Sequence, residues 1–220
     1  MTSLIDAISQ VTAIMVNCDT LRLTRPALTS FLRHYPTLHT IVVDNGSADG
    51  SVEYISHLGP PVTSMLLSTN IGHGPALHAA IQHITTPYFF TLDSDTITRR
   101  GGFIEPMVSI FNDDTNLFAL GAFSLSDFGA TRSGTLPTVH PSAMMVRRSL
   151  YLLGRPFVHA GQPVHLAMAD ARERSNRISG FPICDYIDHL GGGTRHVLRS
   201  KQRLSHHTGT TVPLRTTVAA

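Results

Sequence analysis

The chain has 220 residues, 42% of them hydrophobic, with 17 basic and 15 acidic side chains and a formal net charge of +2. That length suits one domain with a sizeable core, and the near balance of charge, with no long basic run before the tail, gives no argument for a nucleic-acid partner. No stretch approaches the ~20 apolar residues of a spanning helix, Met1 to Gln10 lacks the basic and apolar regions of a signal peptide, and Cys18 and Cys184 form no spacing motif, so a soluble cytoplasmic protein is expected, with contact at a membrane surface left open.

Val11 to Val16 is a short apolar, β-branched run and predicts a first strand. Thr20 is placed to cap the following helix, whose apolar positions Leu21, Leu28, Phe31 and Leu32 keep helical spacing. Leu38 to Val43 predicts a second strand, ending in the turn-rich cluster Asp44-Asn45-Gly46-Ser47-Ala48-Asp49-Gly50. A helix through Val52, Ile55 and Leu58 follows, stopped by Gly59-Pro60-Pro61. Val62 to Leu67 is a third strand. Asn70-Ile71-Gly72-His73-Gly74 is a loop, and Pro75 suits the start of the next helix, through Ala76, Ala80 and Ile84. A fourth strand runs over 88–92.

Strand and helix therefore alternate three times and close on a fourth strand. The pattern predicts right-handed crossovers and a parallel sheet with helices on both faces. The loops at Asn17 to Thr20, Asp44 to Ser47 and Asp93 to Asp95 should then open on one edge. Neither G-x-G-x-x-G after the first strand nor G-x-x-x-x-G-K-[ST] occurs, which speaks against a dinucleotide fold and a P-loop.

The fourth strand, Tyr88-Phe89-Phe90-Thr91-Leu92, ends abruptly in Asp93-Ser94-Asp95. Ligands of open α/β sheets bind beyond the carboxyl ends of the strands. Two carboxylates there are suited to a hard divalent cation, which favours oxygen ligands and phosphates. The bland alternative is a solvated turn.

Further on the pattern loosens. Gly101 to Phe111 predicts a helix with Phe103, Met107, Ile110 and Phe111 inward. Leu117 to Phe123 predicts a strand, and Ser124 to Pro137, rich in Ser, Gly and Thr, a mobile loop. Val139 to Val146 predicts a strand, Gln162 to Arg174 a helix, and Ile178 to Leu190 a strand-like stretch. The tail, 195–220, is polar and basic and is expected to be ordered only in part.

With these residues laid out, the sequence resembles the family 2 glycosyltransferases, from about Val11 to Thr194. Ile41-Val42-Val43-Asp44-Asn45-Gly46-Ser47-Ala48-Asp49-Gly50-Ser51 is similar to that family's V-V-D-[DN]-G-S-x-D-G-[ST]. Asn70-Ile71-Gly72-His73-Gly74-Pro75-Ala76-Leu77-His78 is similar to N-x-G-x-a-x-A-x-N, with His78 where Asn is common. Leu92-Asp93-Ser94-Asp95 matches its D-x-D. Ser142-Ala143-Met144-Met145-Val146-Arg147-Arg148 resembles the strand G-A-x-M-L-V-R-R. His189 with the following Gly-Gly-Gly-Thr resembles a terminal H-x-G-G-x-S.

The resemblance implies a single GT-A domain with a Rossmann-like, mostly parallel sheet. Residues of about 11–95 would form the nucleotide-binding half and about 96–194 the acceptor half. It implies a nucleoside-diphosphate sugar donor and a glycan, lipid-linked or small-molecule acceptor. It also implies a divalent cation, Mn²⁺ or Mg²⁺. Asp44 would accept a hydrogen bond from the nucleotide base, and Asn17 would line the same pocket. Asn70 and Gly72 would shape the loop beside the ribose and phosphates. Asp93 would sit near the ribose or the cation's waters, with Ser94 beside it. Asp95 and His189 would ligate the cation.

One departure concerns the general base. The family's usual inverting members carry a Glu-Asp pair at the start of the helix placed here at 162–174. This chain has Gly161-Gln162-Pro163-Val164-His165-Leu166 instead. His165 is the favoured replacement, since imidazole titrates near neutrality. Asp170, five residues on, and Asp127 remain alternatives. Two rival functions stand beside transfer: a nucleotidyltransferase, weakened because Asn17-Cys18-Asp19-Thr20 is not a Gly-rich basic loop, and a catalytically inactive nucleotide-sugar-binding module, which the missing pair favours.

Overall fold

The computed structural model describes residues 4–127, 135–158 and 163–190. Outside these ranges lie Gln162, the Gly191 to Thr194 run, the tail and 128–134. After a short helix α1 (Leu4–Ser9), the chain runs β1 (Val11–Asn17), α2 (Leu21–His34), β2 (Thr40–Asn45), α3 (Ser51–Ser56), β3 (Val62–Leu67), α4 (His73–Gln82) and β4 (Tyr88–Asp93). Then come β5 (Thr96–Thr98), α5 (Ile104–Asp113), β6 (Leu117–Asp127), β7 (Thr135–Arg147), α6 (Arg148–Leu152), α7 (His165–Glu173), β8 (Arg177–Gly180) and β9 (Ile187–His189).

Seven strands form one sheet in the order β3-β2-β1-β4-β7-β6-β8. The first four neighbours are parallel, as the alternating strand–helix pattern predicts. β7 joins antiparallel to β4 and to β6, and β8 runs parallel to β6. The chain leaves β1 toward β2 and β3, then returns to lay β4 on the other side of β1. The strand order therefore reverses between β1 and β4, and the crevice beyond their carboxyl ends is where open α/β sheets bind ligands.

Both faces are covered, which explains why β1, β2 and most of β4 are continuous apolar runs. Ala13 and Met15 of β1 pack with Phe90 and Leu92 of β4 against Leu28 and Phe31 of α2 and Met107 and Phe111 of α5. Their neighbours Ile14 and Val16 point the other way, to Ala76, Leu77 and Ala80 of α4 and Ala167 and Met168 of α7. Alternate residues of one strand thus fill two different cores.

Four expectations are corrected. Thr20 occupies the first cap position of α2, but its hydroxyl donates to Asn17 Oδ1 (2.9 Å), and the Leu21 N–H is met by Asp49 Oδ2 (3.0 Å). The two ends of the stretch 124–137, expected as a loop, are strand: β6 runs on to Asp127, which pairs with Thr135 of β7. Asp127 therefore lies at the end of a strand, and only 128–134 remains outside the described residues. Ile110 of α5 is partly exposed at 37%, while Phe103, Met107 and Phe111 are fully buried. The stretch 178–190 is no single strand; it is β8, a 3-10 turn at Ile183–Asp185, and β9.

β9 leaves the main sheet. It pairs antiparallel with β5 in a separate two-stranded ribbon, with Thr96 opposite His189. Arg99 anchors it through Asp188 (3.1 Å) and the Cys184 carbonyl (2.8 Å), and Arg100 lies over the Tyr186 ring. The residues just after Asp95 thus hold the segment that carries His189.

Candidate functional site

Asn17, the last residue of β1, uses its whole hydrogen-bonding capacity internally. Its amide donates to Asp44 Oδ2 (2.8 Å) and Ser47 Oγ (3.0 Å), while Oδ1 accepts from the Thr20 and Thr24 hydroxyls (2.9 and 2.6 Å). Two donors and two lone pairs are all that an amide has. The Thr20 and Ser94 hydroxyls are paired at 3.2 Å, which ties the β4 loop to the same network. The three loops expected on one edge are therefore joined there, around a side chain that is fully buried.

The Asp44 to Ser51 motif has a local structural logic. Asp44, also fully buried, accepts the Ser47 N–H on Oδ1 (2.9 Å), which closes the turn. Asp49 accepts the first N–H of α2 on one oxygen and the Ser51 N–H, the start of α3, on the other. Gly46 has φ +73°, and a Cβ there would stand 2.5 Å from the Thr69 carbonyl carbon. The turn after β2 thus touches the loop after β3, and Asn45 and Asn70 lock the contact. Asn45 Nδ2 donates to Asn70 Oδ1, and Asn45 Oδ1 receives the Ile71 N–H, both at 3.0 Å. Asn70 Oδ1 also accepts the Gly72 N–H (2.8 Å), and Gly72, with φ +97°, turns the chain into α4.

Beyond β4 stand the carboxylates. Asp95 is nearly buried, while Asp93 is partly open. His189 Nε2 lies 3.2 Å from Asp95 Oδ1 and 4.0 Å from Asp93 Oδ2, and His73, the first residue of α4, lies 3.6 Å from Asp93 Oδ1. One donor atom from each of Asp93, Asp95 and His189 falls within 4.8 Å of the others. The Leu190 N–H donates to the Asp95 carbonyl (2.9 Å), so backbone as well as side chain joins the two segments. Two carboxylates and one imidazole at this spacing fit a divalent cation that takes oxygen and imidazole together, as Mn²⁺ does.

One further histidine approaches this group, and a second feels the charge of that one. His140 of β7 lies ring to ring with His189, centroids 5.1 Å apart. His165 is the first residue of α7 and is almost buried. The hydrogen bond to Asp95 raises the His189 pKa, against partial burial and with help from the charges of Asp95 and Asp93. Partial burial and then His189 hold His140 below its ordinary value, although both aspartates pull the other way. Burial, and after it the charge of His140, holds His165 below the ordinary imidazole value.

Asp170 belongs to a different set of contacts. Its carboxylate meets the Arg174 guanidinium at 3.0 Å, receives the Arg155 N–H at 3.2 Å, and lies 3.9 Å from Arg155 Nε. His165 and Asp170 stand on one helix but serve different neighbours. His73, His140 and Asn45 were not singled out from the sequence. Among 13 histidines the family resemblance marks His189, and only the fold brings His73 to Asp93 and His140 to His189.

The profile of glycosyl transferase family 2 matches residues 12–135. The fold is of the GT-A type. A mannosyltransferase from Pyrobaculum calidifontis, solved in complex with GDP-Man and Mn²⁺, superposes with a TM-score of 0.64 at 16% identity, covering 93% of this chain and 66% of its own. TarS 1-349 of S. aureus in complex with UDP-GlcNAc gives 0.62 at 15%, covering 81% and 57%. TarS 1-349 in another crystal structure gives 0.60 at 14%, covering 87% of this chain and 64% of its own. This chain thus spans less than two thirds of the length of these structures. No curated protein matches significantly. The chain belongs to glycosyl transferase family 2. Among the described residues, no helix is long and apolar enough to cross a membrane.

Proposed function

We propose that the chain transfers a sugar from a nucleoside-diphosphate sugar to an acceptor hydroxyl at the crevice between β1 and β4. The observation that carries this reading is the Asp93–Asp95–His189 group, with donor atoms within 4.8 Å, at the carboxyl end of β4 in a family 2 chain. Asp95 and His189 would hold a divalent cation, Mn²⁺ or Mg²⁺, with Asp93 contributing at its open side. The chemistry a cation supplies at such a site is electrostatic and Lewis-acid stabilisation of the departing diphosphate.

The remaining roles fall to the chain's own residues. Asn70 and Gly72 would shape the edge of the pocket beside the ribose and phosphates, and Ser94, tied to Thr20, would fix the loop between the two aspartates. Asn17 braces the floor. Asp44 has lone pairs left after its bonds to Asn17 and Ser47 and would accept one from the base. Because Asp44 is fully buried, that contact requires its cover to move.

His165 would take the proton from the acceptor hydroxyl at its imidazole. Its lowered pKa keeps it neutral, and so able to accept a proton, throughout the neutral range. Asp170 is the weaker candidate because two arginines occupy its carboxylate. Direct attack by the acceptor would invert the anomeric centre. The acceptor, whether glycan, lipid-linked or small molecule, would meet the residues of β6, β7 and α7.

A second reading is a nucleotide-sugar-binding module without turnover, favoured by the absence of any acidic residue in the first turn of α7. One experiment separates the two. Thermal shifts are measured with UDP and GDP, with and without Mn²⁺, and nucleoside diphosphate release is then followed from the corresponding sugar donors. Ligand at ~100 times its Kd stabilises by about 2.7 kcal/mol, which in a chain of this size raises Tm by roughly 5–11 °C. Cation-dependent stabilisation with turnover supports transfer. Stabilisation without turnover for any donor and acceptor pair supports the module. No stabilisation by these or any other nucleoside diphosphate refutes both.

A further inference from the structure

We propose that His140 is a positioning residue for the cation site: its ring braces the His189 ring and so keeps His189 Nε2 turned toward Asp95. The inference rests on the cation reading above.

The starting observation is an irregular ladder. Gly121 of β6 pairs with Met144 of β7, but Phe123 pairs with Val139. One residue of β6, Ala122, therefore faces four of β7, 140–143, while Ala143 still pairs with Leu92 of β4. The chain bulges at His140-Pro141-Ser142. Such a bulge gives up ladder hydrogen bonds, and where bulges occur beside a site they re-aim a side chain.

This bulge is held in place. The Thr91 hydroxyl of β4 donates to the Pro141 carbonyl at 2.6 Å. Ser142 is buried, and its hydroxyl meets His140 Nδ1 at 2.7 Å. That contact fixes the ring of a residue that is otherwise solvent-facing. The ring it fixes lies against His189, tilted by 55°. His189 is thus held from two directions: β5 pairs with its backbone, and His140 covers its imidazole.

His140 is not itself one of the donors grouped within 4.8 Å, so its action on a cation goes through His189. Residues that orient a metal-ligating imidazole typically matter 10–100-fold for metal affinity. Fixing both rings also removes rotamer freedom before a cation arrives, so less has to be lost on binding.

The test is Mn²⁺ binding, by calorimetry and by electron paramagnetic resonance, to the full chain without nucleotide. The variants are His140→Ala, His140→Phe, Ser142→Ala and His189→Ala, each with its melting temperature. His140→Ala is expected to weaken Mn²⁺ binding by roughly 10–100-fold at near wild-type melting temperature. His140→Phe, which keeps a flat ring against His189, is expected to recover most of the loss. Ser142→Ala leaves Nδ1 with only the Ser142 N–H (3.3 Å) and should weaken binding by less, in the same direction. Wild-type affinity in His140→Ala overturns the proposal, and so does a His140→Phe variant no better than His140→Ala. Should His140→Ala fail to fold, His140→Ser, which removes the ring and keeps a polar side chain at this exposed position, decides, and wild-type affinity in it is equally fatal. If the wild type shows no Mn²⁺ binding that His189→Ala abolishes, the cation reading itself fails and this proposal falls with it.

Discussion

Replacing Asn17 tests the joint that holds the site together. In Asn17→Ala, four hydrogen bonds go at once, but their partners do not suffer equally. Ser47 Oγ keeps the Asp19 N–H (2.8 Å), Thr24 keeps the Thr20 carbonyl (3.1 Å), and Thr20 keeps Ser94 (3.2 Å). Asp44 is the loser: a fully buried carboxylate retains the Ser47 N–H and forfeits the bond on its other oxygen. An unsatisfied bond to a buried charged group costs about 1.5–3 kcal/mol, and the neutral bonds add a little. The expected loss is about 2–4 kcal/mol, hence a fall in Tm of roughly 4–16 °C at this chain length.

Asn17→Asp sharpens the test, because it sets a second carboxylate where an N–H now meets Asp44 at 2.8 Å. Two such groups share a proton, so one of them has its pKa raised. Stability conferred by a raised pKa is full at low pH and lost as pH rises. Asn17→Asp should therefore melt closer to the wild type at pH 5 than at pH 8, as read by urea titration and thermal melts at both. A loss for Asn17→Ala within the ~0.5 kcal/mol of an ordinary surface change, or no pH dependence for Asn17→Asp, would refute this account of the loop junction.

Asp95→Ala should lower nucleoside-diphosphate affinity in Mn²⁺ to the level that the wild type shows in EDTA; equal wild-type affinity with and without EDTA, by calorimetry, removes the cation from the mechanism. Gly46→Ala combines a left-handed backbone with a Cβ 2.5 Å from the Thr69 carbonyl carbon, so a loss of about 2 kcal/mol or more is expected in urea unfolding. The His165 pKa is lowered, so the neutral base persists below the ordinary value of ~6.5 and the rate should fall only as pH drops through that lower value. His165→Ala should lose most turnover and with it this acidic limb, whereas Asp170→Ala should keep the limb while losing stability with its arginine contacts; the reverse pattern reassigns the base.

The first half of the fold was legible because it repeats one physical unit. Apolar strand, capped turn and amphipathic helix recur with short connections, and each boundary residue announces itself, as Asp44 and Asp93 do by ending apolar runs. Thr20 was misread for a specific reason. A Thr before a helix offers the N–H groups a hydroxyl, but Asn17, three residues back, competes for it, and Asp49, 28 residues beyond Leu21, supplies the cap. Sequence shows the local offer and not the distant rival. At the two ends of 124–137, Ser, Leu and Thr read as loop residues, yet pairing of 124–127 with 135–138 along β6 and β7 overrides that preference. His140 carries no signal at all in the sequence, since it is placed by a bulge whose existence depends on the register of two strands.

The way His189 reaches the aspartates bears on how the site would work. It lies some 95 residues from Asp95, and two cationic residues, Arg99 and Arg100, follow the aspartates so closely that they anchor the very segment that bears it. Their contacts are to backbone carbonyls, to Asp188 and to the Tyr186 ring, none of which needs a cation. The chain therefore spends its local interactions on assembling a three-donor group before any ligand arrives. A cation entering a preformed group does not bear the ordering cost of a segment that folds on binding. Where His189 holds a proton, a cation would have to displace it, because the hydrogen bond to Asp95 raises the His189 pKa and only neutral imidazole ligates. The same pairing that assembles the donors thus makes their use pH-dependent: below the raised His189 pKa a cation has to compete with a proton already held against Asp95, and its affinity should fall as the solution is acidified.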